Sequence, residues 1–435
     1  MIKTIVKYIV ISILTLEAKI ILLKYKPKIV GVTGNAGKTG TKEAVSAVLS
    51  SNFMVWKNEK SYNGDIGIPL TILHCSNAWS DIYLWLKNIV EGLMLIFLPY
   101  NYPEWLVLEI GADKPGDIKK FTSWVKPKIV IVTTIGKTPV HIENFSGKDA
   151  LIKEKFELVK ALRPGGYLIL NADDPEVLAM KDLVLGAKVI TYGFSPNANL
   201  RASNYHIIYS EHNHVKIPSG INFKIDYLGN IIPVKINSIV GRNNVYSAIA
   251  GITAGVALGL NFVSMLESIA RYERPVGRLK LIEGIEDSII LDDTYNSSPA
   301  AVSLALESLT DIEVSGQKIV VLGDMLELGK HTIDANLEIG KKLPQYCDRL
   351  ITVGQRAKHF AEGALDGGMD VKMITCFDES KAAGKYLRGL VKSGDLVLVK
   401  GSQGIRMERV VEQILLHSED KNKLLVRQDP EWLIR

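Results

Sequence analysis

Apolar runs of strand length alternate with helical patterns along most of the chain. The first helical patterns cover residues 38–49 and 147–162, and "RPGG" ends the second of them. A continuous apolar run without polar alternation is typical of a strand that is covered on both faces. The runs are "KIVGVT" (28–33), "WLVLEIG" (105–111), "KPKIVIVTTI" (126–135) and "YLILN" (167–171). Their alternation with helices predicts βαβ units and a mostly parallel sheet.

The pattern changes over residues 199–238, where short alternating segments are separated by Pro, Gly and Asn. This stretch predicts a small antiparallel layer of short strands. Helical patterns follow at 243–259 and 262–270, and "ERPVGR" (273–278) is typical of a linker. A second series of apolar runs, each followed by a helix, then begins: "SIILDD", "KIVVLGD", "RLITVG" and "DLVLVKGS".

These patterns predict an α/β protein in three parts. Residues 1–27 are expected to form an apolar or amphipathic helix, residues 28–275 a central domain, and residues 276–435 a smaller C-terminal α/β domain. A chain of 435 residues is too long for one ordinary hydrophobic core, so more than one domain is expected.

Two apolar segments, residues 4–23 and 85–100, leave two interpretations open. A membrane-spanning helix needs about 20 apolar residues with few charges, whereas the first segment contains Lys7, Glu17 and Lys19. A signal peptide is not expected, because a glycine-rich loop follows so soon. Each segment is therefore an amphipathic helix packed on the core or a helix that lies in a membrane interface.

Composition and charge exclude several classes of protein. The chain is 47% apolar and 23% charged, which is typical of a folded globular protein. The net charge of +5 is mild, and no basic stripe with interleaved aromatic residues indicates a nucleic-acid partner. Cys75, Cys347 and Cys376 lie far apart, which fits a reducing compartment and neither a disulfide framework nor a zinc site.

The segment "VTGNAGKTGTKE" (32–43) follows the first apolar run and has the features of a phosphate-binding loop. Strand, glycine loop, Lys-Thr and helix in this order surround phosphate with backbone N–H groups at a helix N-terminus. Lys38 would neutralise phosphate charge, and Thr39 would offer its hydroxyl to Mg²⁺. Val32 stands where the general pattern has glycine, so an ordinary strand-to-helix turn is the alternative.

Glu109 ends the run "LVLEIG" and is the candidate acidic ligand for that metal ion. The carboxyl ends of parallel strands gather ligands at one edge of a sheet. A glutamate buried on an apolar strand is costly unless it is paired with a charge or a metal ion. The alternative is a glutamate that is exposed at the end of its strand.

Thr33–Thr39 also match the phosphate loop of the Mur ligases, TG-x-x-GKT/S, in which the position of Val32 need not be glycine. Further stretches occur in the order of that family through nearly all of the chain after residue 27. They are "YNGDIGIPLTIL" (62–73), "LEIGADKPGDI" (108–118), "HIENF" (141–145), "KEKFEL" (153–158), "LNADDP" (170–175), "GR" (277–278), "LDDTYNSSP" (291–299), "VLGDMLELG" (321–329) and "VLVKGS" (397–402). Several are weak individually, but their order and spacing are specific. The sequence therefore resembles the Mur ligase family, and within it most closely the type that adds D-alanyl-D-alanine to the peptidoglycan precursor.

The resemblance implies a P-loop central ATPase domain, a C-terminal Rossmann-like domain and an ATP-dependent carboxylate–amine ligase. In such an enzyme the γ-phosphoryl group of ATP turns a carboxylate into an acyl phosphate, which an amine attacks. The implied substrates are a nucleotide-sugar peptide and a dipeptide. The implied roles are in peptidoglycan biosynthesis, cell-wall biogenesis, cell shape and cell division. The implied oligomeric state is a monomer, and the implied location is the cytoplasm or the inner face of the membrane.

Two alternative functions remain open beside that of a D-alanyl-D-alanine-adding ligase. Another amide ligase of the superfamily, of the folylpolyglutamate synthase, cyanophycin or pseudomurein type, would use a different donor. A non-catalytic nucleotide-binding scaffold at the membrane would bind ATP without amine-dependent phosphate release. The family type normally carries an N-terminal domain for the uridine nucleotide, whereas only about one helix precedes the phosphate loop here.

The resemblance also assigns site residues. For ATP it implies Gly34, Asn35, Ala36, Gly37, Lys38, Thr39, Gly40, Asn244, Arg278 and Asp292. For two Mg²⁺ ions it implies Thr39, Glu109, His141 and Lys155. For catalysis it implies Lys38, His141, Lys155, Arg278 and Asp293, and for substrate binding Asn63, Tyr295, Asn296 and Lys400.

Lys155 is the least obvious of these residues. It lies near Lys148, Lys153 and Lys160, so the residues alone favour one more solvated lysine. The resemblance reverses this expectation, because the family position fourteen residues after the histidine is a lysine carbamylated by CO₂. A carbamate turns a cation into a carboxylate that can bind metal.

Overall fold

The computed structural model describes residues 2–59, 64–79, 81–136, 144–212, 215–272, 274–326, 328–429 and 432, without the side chains of residues 2–7 and 212. The chain divides into two compact units. The first unit comprises residues 1–203, 225–232 and 246–272, and the second comprises residues 204–224, 233–245 and 273–435.

The helices follow the predicted periodicities closely. The predicted helices 38–49, 147–162, 243–259 and 262–270 correspond to the second, sixth, eighth and ninth α-helices of the structure. The helices are α1 Ile2–Tyr25, α2 Lys38–Ser50, α3 Gly67–Leu73, α4 Ile82–Phe97, α5 Asp117–Thr122, α6 Lys148–Lys160, α7 Pro175–Leu178, α8 Arg242–Ala257, α9 Phe262–Ala270, α10 Pro299–Thr310, α11 Thr332–Gly340, α12 Lys358–Asp366, α13 Ser380–Arg388, α14 Glu408–Ile414 and α15 Lys421–Leu424.

The strands form two sheets. They are β1 Lys28–Thr33, β2 Val55–Lys57, β3 Trp105–Glu109, β4 Ile129–Val132, β5 Tyr167–Asn171, β6 Lys188–Gly193, β7 Leu200–His212, β8 Val215–Tyr227, β9 Asn230–Asn237, β10 Lys280–Glu283, β11 Ile289–Asp293, β12 Lys318–Gly323, β13 Arg349–Val353, β14 Ile374–Phe377 and β15 Leu396–Lys400. The first sheet has the order β2-β3-β1-β4-β5-β6-β7-β8-β9. Its first six strands in this order, from β2 through β1 to β6, pair in parallel. The second has the order β10-β11-β15-β12-β13-β14 and is parallel except for the β10–β11 pair. The predicted α/β class with mostly parallel sheets is confirmed.

The central parallel strands of both sheets are buried on both faces, as the continuous apolar runs predict. In β12, Val320 and Leu322 contact one hydrophobic core, while Ile319 and Val321 contact another. The alternation of side chains along a strand sends successive residues to opposite faces.

The prediction of short strands over residues 199–238 is wrong, because three long strands occupy this stretch. Pro218 lies inside β8 and Pro233 inside β9, although proline was expected to separate the strands. The turn between these strands is tight, with positive φ values at Leu228 and Gly229. Such a two-residue turn matches the twist of the strands that it joins.

The N-terminal helix α1 packs on the core of the first unit through one face. Leu14, Ala18 and Ile21 are fully buried in the same cluster as Ile29 of β1. The Nζ atom of Lys24 donates hydrogen bonds to the carbonyl oxygens of residues 95, 96 and 98, at the end of α4. In the described part of the chain, no helix is long and apolar enough to span a bilayer.

Replacing Glu17 with methionine is expected to stabilise the protein by about 1–3 kcal/mol above neutral pH. The side chain is 3% exposed, and neither carboxylate oxygen has a hydrogen-bond partner among the described residues. Burial raises the pKa of Glu17 from 4.5 to about 7. The penalty is therefore absent below pH 4.5, grows as pH rises toward 7 and is complete above that value.

Urea unfolding of the wild type and the variant at about pH 4.5 and about pH 8 measures this effect. The exposed Glu267, changed to methionine, is the matched control and should give no pH-dependent gain. An equal gain for Glu17→Met at both pH values would contradict a buried ionised carboxylate.

Candidate active site

The loop between β1 and α2 has the shape of a phosphate cradle. Gly34 has φ 144° and Gly37 has φ 80°. A Cβ atom on Gly34 would lie 2.0 Å from Thr133 Oγ1, so only glycine fits there. Gly37 is the N-cap of α2 and offers no side chain to the first-turn N–H groups. The helix N-terminus is therefore open to an anionic ligand.

The loop is held by the end of the neighbouring strand β4. The N–H group of Asn35 donates to Thr134 O at 2.7 Å, and its side-chain amide donates to Ile135 O at 2.7 Å. Thr133 Oγ1 donates to the carbonyl oxygen of Ala36 at 2.7 Å. These contacts fix the loop before any ligand binds, which lowers the entropy cost of binding. Thr133 was not predictable as a loop contact, because a threonine after a strand has no distinctive local pattern.

Thr39 and Glu109 form the candidate metal site. Val32 of β1 pairs with Glu109 of β3, and the hydroxyl of Thr39 donates to Glu109 Oε2 at 3.0 Å. Glu109 is 2% exposed, so the alternative of an exposed strand-end glutamate is excluded. Its N–H group donates to Asn58 Oδ1 at 2.6 Å.

These two residues fit Mg²⁺. This ion is usually held by one or two carboxylates together with substrate phosphate oxygens and water. A cluster of three or more His, Cys, Asp or Glu side chains that could hold a metal by themselves does not occur among the described residues. The donor set therefore suits a metal ion that arrives with a phosphate ligand.

Lys155 is buried, in contrast to its neighbours on α6. It is 2% exposed, whereas Lys153 and Lys160 are exposed to solvent. Its Nζ atom donates to the carbonyl oxygen of Gly34 at 3.0 Å. Burial lowers the pKa of Lys155 well below its ordinary value, and the positive charge of Lys38 lowers the pKa further. The expectation of a solvated lysine, drawn from the residues alone, is wrong.

Lys38 also contacts the loop. Its Nζ atom donates to the carbonyl oxygen of Asn35 at 3.2 Å. Two lysines from different helices thus meet the backbone of one glycine-rich loop. His141 and Asn63, for which metal and substrate binding were predicted, lie outside the described residues, so their roles stay predictions.

A polar cavity of about 380 Å³ lies in the same unit. Gly111, two residues after Glu109, is part of its wall, together with the charged residues Asp65, Asp113, Lys114 and Asp117. Asp117 Oδ2 accepts hydrogen bonds from the N–H groups of residues 113 and 114. These residues were not predicted as cavity walls, since the segments that carry them lie far apart along the chain.

The second unit contains its own buried ionic pair. The ladder between β11 and β15 places Asp293 opposite Lys400, and Lys400 Nζ lies 2.5 Å from Asp293 Oδ2. The same Nζ atom donates to the carbonyl oxygen of Asn296 at 2.9 Å. Burial lowers the pKa of Lys400, and the charge of Asp293 opposes this effect. Three predicted site residues are thereby brought together.

Asp292 is fully buried beside this pair. Its Oδ1 atom accepts hydrogen bonds from the hydroxyl and the N–H group of Thr294, at 2.6 and 3.1 Å. Its Oδ2 atom has no partner in the described part of the chain. Burial raises the pKa of Asp292 to about 6.

Arg278 stacks on Tyr295, with its guanidinium carbon 4.1 Å from the ring centroid. The loop that carries Tyr295 is held by Arg427, whose Nη1 atom donates to the carbonyl oxygen of Tyr295 at 3.0 Å. Arg427 is itself paired with buried Glu408 at 2.8 Å. Sequence reasoning missed both residues, because they lie far from Tyr295 along the chain and in no recognisable motif.

Asn244 lies in the first turn of α8 and is fully buried. Its side-chain amide donates to the carbonyl oxygen of Val240 at 2.5 Å. Its Oδ1 atom has no partner among the described residues. The side-chain atom without a partner there is therefore an acceptor.

Comparison with known proteins gives consistent results over most of the chain. Residues 87–255 match the Mur ligase middle domain, and residues 277–403 match the glutamate ligase domain of Mur ligases. The UDP-N-acetylmuramoyl-tripeptide–D-alanyl-D-alanine ligase of Bacillus subtilis (strain 168) is 28% identical over 92% of this chain and 78% of its own length. The enzyme of that name from Escherichia coli (strain K12) is 27% identical, over 89% of this chain and 76% of its own length. The crystal structure of MurF ligase from Thermotoga maritima in complex with ADP has a TM-score of 0.75 at 24% identity, over 95% of this chain and 84% of that one.

Proposed function

The chain belongs to the Mur ligase family, and on that premise we propose that it is an ATP-dependent, ADP-forming ligase that adds D-alanyl-D-alanine to a UDP-N-acetylmuramoyl-tripeptide. The two matched domains span well over half of the chain, and the two relatives described above carry that activity in their names. The observation that carries the proposal is the glycine-rich loop with the Thr39–Glu109 pair at its side.

The residues of the loop suit the first step of such a reaction. A carboxylate does not react with an amine at neutral pH, so it must first become an acyl phosphate. Backbone N–H groups at the start of α2 would hold the phosphates of ATP, and Lys38 would offset their charge. Positioning and charge neutralisation supply most of the catalysis in phosphoryl transfer.

Mg²⁺ on Thr39 and Glu109 would neutralise the phosphate charge that develops during transfer. For this ion the chain provides a buried carboxylate and a hydroxyl that already contact each other. A second Mg²⁺ would involve His141 and Lys155. Gly34, Asn35, Ala36, Gly37 and Gly40 complete the proposed ATP-binding loop.

We propose that Lys155 is carbamylated. Burial lowers the pKa of its amine, which favours the neutral form, and the neutral amine has a lone pair for the carbon of CO₂. The new N–C bond gives a carbamate, and one proton leaves to solvent. The product is a carboxylate close to Gly34 O, where a cation would be bound. The positive charge of Lys38 would stabilise it.

In the second unit, Asn244, Asp292 and Arg278 are proposed to bind ATP, and Asp293 to act in catalysis. Tyr295, Asn296 and Lys400 are proposed to bind substrate, as is Asn63 in the first. The buried amine of Lys400 and its partner Asp293 suit recognition of a group that bears both a carboxylate and an ammonium, such as a dipeptide. Stacking of Arg278 on Tyr295 holds its guanidinium in one place.

The proposed setting is the cytoplasm, with the enzyme as a monomer and with nucleotide-sugar peptide and dipeptide as substrates. A boundary between central and C-terminal domains at residues 275–276 is likewise proposed. Peripheral contact with the inner face of the membrane is a separate matter, because it depends on surface helices and not on the ligase site.

A phosphate-release screen tests the function. UDP-N-acetylmuramoyl-tripeptides with different third residues are combined with ATP, Mg²⁺ and either D-alanyl-D-alanine or single amino acids. We expect one phosphate and one ADP per amide formed, with D-alanyl-D-alanine as the preferred acceptor. Preference for a single amino acid would assign another ligase of the superfamily. ATP binding without amine-dependent phosphate release would indicate a nucleotide-binding scaffold.

A further inference from the structure

The helix α4 exposes an apolar stripe instead of a polar one. Tyr83, Leu86, Val90, Leu93 and Phe97 follow one another at three- and four-residue spacing, and all are exposed, Tyr83 by 83% and Phe97 by 78%. The buried side of the same helix contains Asn88, Gly92 and Leu95. A helix on the surface of a globular protein normally has the reverse arrangement.

The helix α1 has a second stripe of this kind. Tyr8, Ile9, Leu16, Ile20 and Leu23 are exposed, and Leu23 is exposed by 73%. More than half of the large hydrophobic side chains that the described residues expose lie in two segments, residues 8–23 and 79–100. Scattered exposed hydrophobic residues need no explanation, but a concentration of them marks an interaction site.

The two stripes lie on neighbouring helices of one unit. Lys24 joins the end of α1 to the last carbonyl groups of α4. The helices also approach closely in the middle, since a Cβ atom on Gly92 would lie 2.3 Å from Glu17 Oε2. We call the exposed residues of both helices, with their flanking lysines, the α1–α4 surface.

Charge around the α1–α4 surface is predominantly positive. Lys19, Lys26 and Lys87 are exposed, in addition to Lys24. Acidic residues are fewer: Glu17 is buried, Glu91 pairs with Lys87 at 3.6 Å, and Asp81, the N-cap of α4, is exposed. Aromatic residues stand near both ends of α4, with Trp79 and Tyr83 at one end and Tyr100 at the other. Tyrosine and tryptophan favour the membrane–water interface.

We propose that the α1–α4 surface docks onto anionic lipid headgroups, with the apolar stripes at the headgroup–acyl boundary and the lysines on lipid phosphates. An apolar helix face with lysines at its rim is the type of surface that lies in a bilayer interface without crossing it. A second copy of the chain is a poorer partner, because an isologous contact would bring the same lysines close together. The surface shares no residue with the proposed ligase site.

Flotation of the full chain with lipid vesicles tests this proposal. Wild-type protein is expected to float with vesicles of phosphatidylcholine mixed with phosphatidylglycerol at low salt, and less with phosphatidylcholine alone or at high salt. The double variant Leu86→Glu, Phe97→Glu should lower the partition coefficient more than about tenfold. The matched control, Leu183→Glu with Leu185→Glu, adds the same charge at exposed leucines elsewhere and should float as the wild type does.

Ligase activity without vesicles should be the same in wild type and both double variants, so failure of docking and failure of the ligase proposal are distinguishable. Three results would overturn docking on anionic lipid. These are wild-type protein that stays soluble beside anionic vesicles, flotation that is equal on neutral and anionic vesicles, and sedimentation of a wild-type dimer that Leu86→Glu with Phe97→Glu converts to monomer.

Discussion

Replacing Lys38 with alanine is expected to lower amine-dependent phosphate release by about 1000-fold or more. Its ammonium group lies at the loop that would surround the phosphates and donates to the carbonyl oxygen of Asn35. Without this charge, the negative charge that moves from the γ-phosphate to the leaving ADP is offset less well. Steady-state phosphate release at saturating ATP measures the effect, and ADP binding by calorimetry separates loss of binding from loss of turnover.

The fold should survive this substitution, because Lys38 is half-buried and its side chain donates to the carbonyl oxygen of a loop residue. An unchanged melting temperature would show this. Lys153→Ala, an exposed lysine on α6, is the control and should keep full activity. A Lys38→Ala enzyme with wild-type turnover would remove the loop from the reaction and with it the proposed function.

Replacing Lys155 with alanine is expected to lower activity by a similar factor, and small carboxylates should restore part of it. The substitution opens a space beside Gly34 O in which acetate or formate can supply the negative charge of the proposed carbamate. The wild-type enzyme should also lose activity in CO₂-depleted buffer and regain it with bicarbonate. This test separates a modified lysine from an ordinary structural one.

The pH dependence of CO₂ activation follows from the lowered pKa of Lys155. Carbamate forms only from the neutral amine. Activation by CO₂ should therefore be lost as the pH falls through the pKa that Lys155 has in the folded protein. Lys155→Met, which keeps the buried apolar stem without the amine, should be inactive and insensitive to bicarbonate. Full activity of Lys155→Met without additive would contradict the carbamate.

Local patterns were sufficient to predict the main elements of both units. The runs at β1, β3 and β5 and the helices α2 and α6 lie where the sequence places them to within a few residues, because buried parallel strands have an unmistakable apolar composition. The three-residue strand β2 and the edge strands β10 and β14 were not anticipated. Short strands hold their conformation through their neighbours in the sheet and not through their own composition.

The residues of the candidate site differ in how far the sequence alone predicts them. Lys38 and Thr39 were predictable from the glycine loop, since their role depends on local spacing. The burial of Lys155 was not, because α6 carries four lysines and only packing decides which of them faces the loop. The family resemblance singled out Lys155 as a carbamylated metal ligand; the structure shows that this lysine is buried, and its role in the reaction stays a proposal.

By itself the sequence determined the main alternation of buried strands and helices, the position of the phosphate loop and the membership of the family. These properties depend on residues close together in the chain, where spacing and hydrophobicity act directly. Only the tertiary structure decided that Glu109 is buried against Thr39, that Asp293 meets Lys400, and that α1 and α4 turn apolar side chains outward. Contacts between distant residues depend on strand order and helix packing, and the same local pattern is compatible with burial against the core or against a bilayer.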